Sequence, residues 1–192
     1  MTTDMSEFGQ GFWEQRWIEV QRDHGDKIAA KQPNPYLLEF ASDLSPGRAL
    51  DAGCGHGVET LWLASRGWHV TAVDFATTAL EIGRSMADAV GVADRVEWVQ
   101  ADLGAWAPQP EQYDLVVSLY VHVAGDIGEA VGRLANGVEP GGTLLMVGHQ
   151  GIEQTQVTLH AARAALRGWE ITTAEERDRT AGGRDEVIVA SR

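Results

Sequence analysis

The chain has 192 residues, 44% of them hydrophobic and 22% charged, enough for one ordinary globular core and too little for two independent ones. Its formal charge of -13, from 15 Lys and Arg against 28 Asp and Glu, repels nucleic-acid backbones and anionic membrane surfaces and points to small-molecule chemistry. No run approaches the ~20 apolar residues of a membrane span, and the opening Met1–Glu7 lacks a basic start and an apolar stretch, so the expected address is the cytoplasm. The single Cys54 forms no internal disulfide and agrees with a reducing compartment.

In chain order, residues 1–45 read as a helical cap segment and 46–192 as the core of one domain. Phe12, Trp13 and Trp17 fall at helical spacing, as core packing or as a lid over a crevice. Pro33-Asn34-Pro35-Tyr36 breaks the chain before a second helix. From residue 48 strands and helices alternate, which predicts a parallel sheet with crossover helices. The first strand is about Ala49–Ala52, followed by a helix over about Val58–Arg66 that Gly67 ends. A second strand, Trp68–Val73, closes on Asp74, and Thr77-Thr78 opens a helix running to about Val90. The third strand is Val96–Gln100. The fourth, Tyr113–Leu119, is nearly all apolar, as expected of a strand covered on both faces. A helix over about Ile127–Val138 leads through the turn Glu139-Pro140-Gly141-Gly142 into a fifth strand, Thr143–Gly148. Beyond it lie a helix at about Thr155–Leu166, a strand near Glu170–Ala174 and a last strand Glu186–Ala190, the final two joined as a hairpin by Ala181-Gly182-Gly183.

The chemistry gathers at the first strand's end, where Asp51-Ala52-Gly53-Cys54-Gly55-His56-Gly57 runs into three glycines spaced two apart. Glycine lets a ligand lie against bare main chain. Asp74 follows about twenty residues later, the distance at which a strand-end carboxylate meets ribose hydroxyls, and Asp102 ends the third strand. Asp51 either orients the loop or touches ligand. His122, His149 and Tyr120 follow strands four and five and are the candidates to position an acceptor or to take its proton. His56 and His69 read as loop and strand-surface residues, and His24 with His160 adds no metal-ligand spacing, so no metal is expected. Cys54, inside the glycine loop with no paired base, reads as a small packing residue.

As a set, these residues resemble the motifs of class I S-adenosylmethionine-dependent methyltransferases. Leu50–Gly57 is similar to the first motif, Val70–Asp74 to the second, Gln100–Leu103 to the third and Tyr113–Ser118 to the fourth, and Pro140–Leu144 matches the turn into strand five. The resemblance implies a Rossmann-like seven-stranded α/β sheet of order 3-2-1-4-5-7-6, strand seven antiparallel, with helices on both faces. It implies S-adenosylmethionine as cofactor and S-adenosylhomocysteine as product. Asp51, Gly53, Cys54, Gly55, Gly57, Asp74, Phe75, Asp102, Leu103 and Ser118 are the cofactor-binding candidates, with Asp74 on the ribose and Asp102 on the adenine amine. Within the family the short length and the Phe12–Trp17 and Asn34–Tyr36 segments resemble small-molecule enzymes of the thiopurine and tellurite-resistance kind, which makes Phe12, Trp13 and Trp17 the lid candidates. The expected reaction is in-line methyl transfer to O, N or S of a small molecule, by a monomer or homodimer, with nucleic acid and membrane excluded as partners. Two other readings stand beside it. One is a non-catalytic adenosine-ligand module; the other is an NAD-dependent oxidoreductase, against which the G-x-G-x-G spacing and the second acid, Asp102, count.

Overall fold

A computed structural model describes residues 9–28, 31–123, 125–151, 156–179 and 182–192. Seven strands form one sheet in the order β3-β2-β1-β4-β5-β7-β6. They are β1 (Arg48–Ala52), β2 (His69–Asp74), β3 (Val96–Gln100), β4 (Tyr113–Leu119), β5 (Val138–His149), β6 (Glu170–Asp178) and β7 (Arg184–Ser191). The first five are parallel, and β7 runs antiparallel between β5 and β6. The helices are α1 (Gln10–Ile28), α2 (Pro35–Ala41), α3 (Val58–Ser65), α4 (Thr77–Val90), α5 (Ile127–Asn136) and α6 (Leu159–Ala165).

Period-2 alternation along the strands sorts their side chains onto two faces. Leu50, Val116, Leu144 and Ile188 meet α5 and α6 through Ile127, Val131, Leu134 and Ala162. Their neighbours Ala49, Leu115, Leu145 and Val189 meet α2, α3 and α4 through Leu37, Leu63, Ala64 and Ala87. With both faces covered, β1 and β4 are buried along almost their whole length.

Apart from shifts of one or two residues, as where β7 runs Arg184–Ser191 and α5 ends at Asn136, three boundaries differ from the sequence expectation. Residues 139–142, expected as a turn before the fifth strand, lie within β5 as an irregularity: Tyr113 pairs with Val138, then Leu115 with Thr143, and Gly141 takes φ +85°. Between these pairs one residue of β4, Asp114, faces four of β5, and the excess bulges out with Pro140 exposed. The sixth strand runs on to Asp178, because β7 offers it a partner throughout. The sixth helix starts at Leu159 on the Thr158 cap, whose hydroxyl accepts from Ala161 N at 3.0 Å; the expected start at Thr155, residue Ala181 of the hairpin and the opening Met1–Glu7 lie outside the described residues.

Parallel order places the carboxyl ends of β1, β2, β3 and β4 side by side, where the strand order reverses between β1 and β4. In open α/β sheets this is the ligand crevice.

Candidate functional site

The loop after β1 is tied to β2 by its own backbone: Gly53 N and Cys54 N both donate to Val73 O, at 2.8 and 3.0 Å. Gly53, Gly55 and Gly57 take φ of +82°, +52° and +83°, a region side chains disfavour. A Cβ on Gly53 would lie 2.3 Å from Val121 Cγ2, and one on Gly55 2.8 Å from the Trp17 ring, so the loop is bare where it passes closest to its neighbours. Gly57 caps α3, and a Cβ there would meet the Trp98 ring at 2.5 Å.

Asp74 closes β2 and turns its carboxylate back on this loop. Its Oδ2 accepts from Gly55 N and its Oδ1 from Ala76 N, each at 2.9 Å. These bonds fix the carboxylate and leave further lone pairs on each oxygen. Burial raises its pKa, and the backbone bonds from Ala76 and Gly55 pull against that. Asp51, 3% exposed, accepts from the Thr60 hydroxyl at 2.6 Å; burial first and Glu59 next push its pKa up to about 7. Burial likewise pushes the Cys54 thiol well above its ordinary value, which argues against a nucleophilic thiolate.

These residues line a cavity of about 590 Å³, within the range that ligand sites occupy. Asp51, Gly53, Cys54, Gly55, Asp74, Phe75, Asp102, Leu103, Tyr120 and His122 all face it, and Trp13, Trp17 and the 31–35 segment form the opposite wall. The wall is docked by polar contacts. Gln10 Nε2 donates to Phe75 O at 3.0 Å, and Glu14 Oε1 accepts from Thr78 N at 3.0 Å and from the Thr78 hydroxyl. Trp17 packs on His56 with ring centroids 4.9 Å apart, and Trp13 on His122 at 5.6 Å.

Four sequence candidates stand elsewhere. His149 is off the cavity: its Nδ1 lies 2.9 Å from Asp185 Oδ1 on β7, and its ring stacks at 4.2 Å on the far side of Tyr120. Ser118 faces a small cleft behind Val121, among Val131, Leu134 and Met146. Gly57 serves the start of α3, beneath the cavity. Phe12 is 44% exposed, with its edge on Trp13. Conversely, His56, read from sequence as a loop residue, is a buried cavity wall whose pKa burial pushes down to about 4. Tyr120 sits in the left-handed region at φ +58°, and its hydroxyl donates to Asp185 Oδ2 at 2.9 Å. Asn34 is a second hydrogen-bond partner of the same hydroxyl.

Two buried polar atoms of the lining, Trp13 Nε1 and His56 Nε2, have no hydrogen-bond partner among the described residues. Such atoms cost roughly 1–3 kcal/mol each unless a ligand or water meets them. The donor set, two strand-end carboxylates with bare backbone and aromatic walls, fits an uncharged ribose and adenine, and its negative charge suits a cationic centre. No helix among the described residues is long and apolar enough to cross a membrane, and no cluster there has the makings of a metal site.

Residues 49–142 match the family described as "Methyltransferase domain". The ubiquinone biosynthesis O-methyltransferase of Aeromonas salmonicida (strain A449) is 32% identical over 137 residues, which cover 68% of this chain and 56% of that protein. The chain therefore spans about half the length of that relative. Among solved structures, TehB from Haemophilus influenzae has a TM-score of 0.71 at 17% identity, covering 90% of this chain and 65% of that one. The 1,6-didemethyltoxoflavin-N1-methyltransferase of Burkholderia thailandensis, solved with 1,6-didemethyltoxoflavin and S-adenosylhomocysteine, has 0.69 at 20% identity, covering 92% and 85%. At these identities the likeness is one of fold.

Proposed function

The chain belongs, through residues 49–142, to the methyltransferase-domain family, and from that premise we propose that it transfers a methyl group from S-adenosylmethionine to a small molecule held in the 590 Å³ cavity. The observation that carries the reading is Asp74, which lines the cavity at the end of β2 with its carboxylate fixed by Gly55 N and Ala76 N. Asp74 would accept the ribose hydroxyls, Asp102 and Leu103 would flank the adenine, and Gly53–Gly55 would lie against the amino-acid end. The cofactor supplies an electrophilic methyl on a sulfonium.

What the chain adds is placement and dryness. An in-line displacement gains up to about 7–11 kcal/mol from holding attacking and leaving atoms in line. Trp13 and Trp17 would help exclude water from the opposite wall, and Tyr120 and His122 line the same cavity and are available to position an acceptor. Proteins this chain resembles are named O-, thiol and N1-methyltransferases, so O, N or S is the acceptor atom, and the charge of -13 favours a small molecule over a nucleic acid. A buried, unpaired Cys54 is compatible with a reducing, cytoplasmic setting.

Calorimetry with S-adenosylhomocysteine tests the reading. Asp74→Ala removes a charged hydrogen bond to the ligand worth about 1.5–3 kcal/mol, so Kd should rise about 10- to 100-fold. Gly55 N and Ala76 N also lose their acceptor and the melting temperature should fall, so Kd is measured at a temperature where circular dichroism shows the variant folded. Equal affinity in the variant, or a wild-type preference for NAD, would overturn it.

A further inference from the structure

Gln156 does not line the cavity, yet its side chain holds two residues that do. It is 1% exposed, just ahead of α6. Its Oε1 accepts from His149 N at 2.7 Å, and its Nε2 donates to Tyr120 O at 3.0 Å. These backbone partners, one a donor and one an acceptor, determine which end of the amide is oxygen and which is nitrogen. The same Nε2 stands 2.9 Å from His122 Nε2.

An amide nitrogen has two N–H groups and accepts nothing. With one N–H given to Tyr120 O, the other needs a lone pair, and the atom in reach is His122 Nε2. That nitrogen consequently bears no proton, and the neutral ring carries its hydrogen on Nδ1. Burial lowers the pKa of His122, in keeping with a neutral ring.

We propose that Gln156 is a positioning residue that locks His122 in the Nδ1–H tautomer, so that its Nε2, already the acceptor of the amide N–H, takes no proton from a molecule in the cavity. The proposal rests on the methyl-transfer reading of the cavity for its chemical meaning. It selects an acceptor whose attacking atom arrives with a free lone pair, such as a thiolate, a phenolate or an unprotonated ring nitrogen. Its bond to the methyl carbon then forms as the carbon–sulfur bond breaks, the electron pair goes to sulfur, and no proton has to leave.

The tautomer is read directly from a long-range ¹H–¹⁵N spectrum of the full chain labelled at histidine, with His122→Asn identifying the signal. The expected wild-type pattern is a protonated Nδ1 and a bare Nε2. Gln156→Glu offers a carboxylate where the N–H stood and should move the proton to Nε2, and Gln156→Leu should relax the ring toward the Nε2–H form that a free imidazole prefers. An Nε2–H ring in the wild type, or a pattern unaltered in both variants, overturns the proposal. Calorimetry with S-adenosylhomocysteine on the same samples separates the two claims: wild-type protein that fails to bind it removes the methyl-transfer reading and leaves the tautomer result standing.

Discussion

Gly53 shows what one hydrogen atom in place of a methyl achieves at this site. Its φ of +82° and the 2.3 Å approach of Val121 to any Cβ mean that Gly53→Ala strains the backbone and pushes Val121 toward the cavity. The two effects should cost roughly 1–3 kcal/mol, lower the urea midpoint and weaken S-adenosylhomocysteine binding. An alanine variant with wild-type midpoint and affinity would show that the loop has room to spare. Gly53, Asp74 and Asp102 were legible in the sequence because strand, turn and strand-end acid are local patterns. His56 and Gln156 were not, since a histidine's burial under Trp17 and an amide's reach from residue 156 to residues 120, 122 and 149 depend on tertiary approach. His149 misled for the same reason: its place after a strand is local, and its capture by Asp185 is not.

At the level of elements, α4 begins without a cap of its own. Ala76 stands at the N-cap and makes no side-chain hydrogen bond, and Thr78 N is met instead by Glu14 from α1. A carboxylate at a helix N-terminus is favoured both as acceptor and by the helix dipole. Removing it with Glu14→Ala should cost about 1 kcal/mol. The loss should appear as faster hydrogen exchange in the first turn of α4 and faster proteolysis within α1, and unchanged exchange in both would dissociate the two helices. The sequence showed α4 with its bounds but not its cap, because a borrowed cap lies 64 residues away. It showed the glycine-rich bend at 139–142 but not that the sheet absorbs it as a bulge, which depends on where β4 pairs.

Across the whole molecule the order of seven strands was legible through the family likeness, since alternation alone gives a parallel sheet without its order. Stability against pH is set by groups that burial shifts in opposite senses. Asp51 rises from an ordinary 3.8 to about 7, so between those values the folded chain holds a proton that the unfolded chain has lost, and stability falls as pH rises through that window. His56 drops from 6.5 to about 4, so the unfolded chain binds the extra proton there, and stability falls as pH descends from 6.5. The two oppose each other below about 6.5, where the raised Asp74 sides with Asp51 and the lowered His122 with His56, and above it Asp51 acts without His56 to oppose it. Asp51→Asn should therefore convert a nearly flat profile between pH ~4.5 and ~6.5 into one that climbs, read from urea midpoints; parallel profiles for both proteins would refute the assignment. The docking of α1 onto Phe75 O, Thr78 and Gly55 has a kinetic counterpart. On the proposal that this wall, part of the molecule's own first helix, swings aside for each exchange of contents, catalytic throughput should slow as glycerol or sucrose thickens the medium, and throughput independent of viscosity would show that contents exchange without moving it.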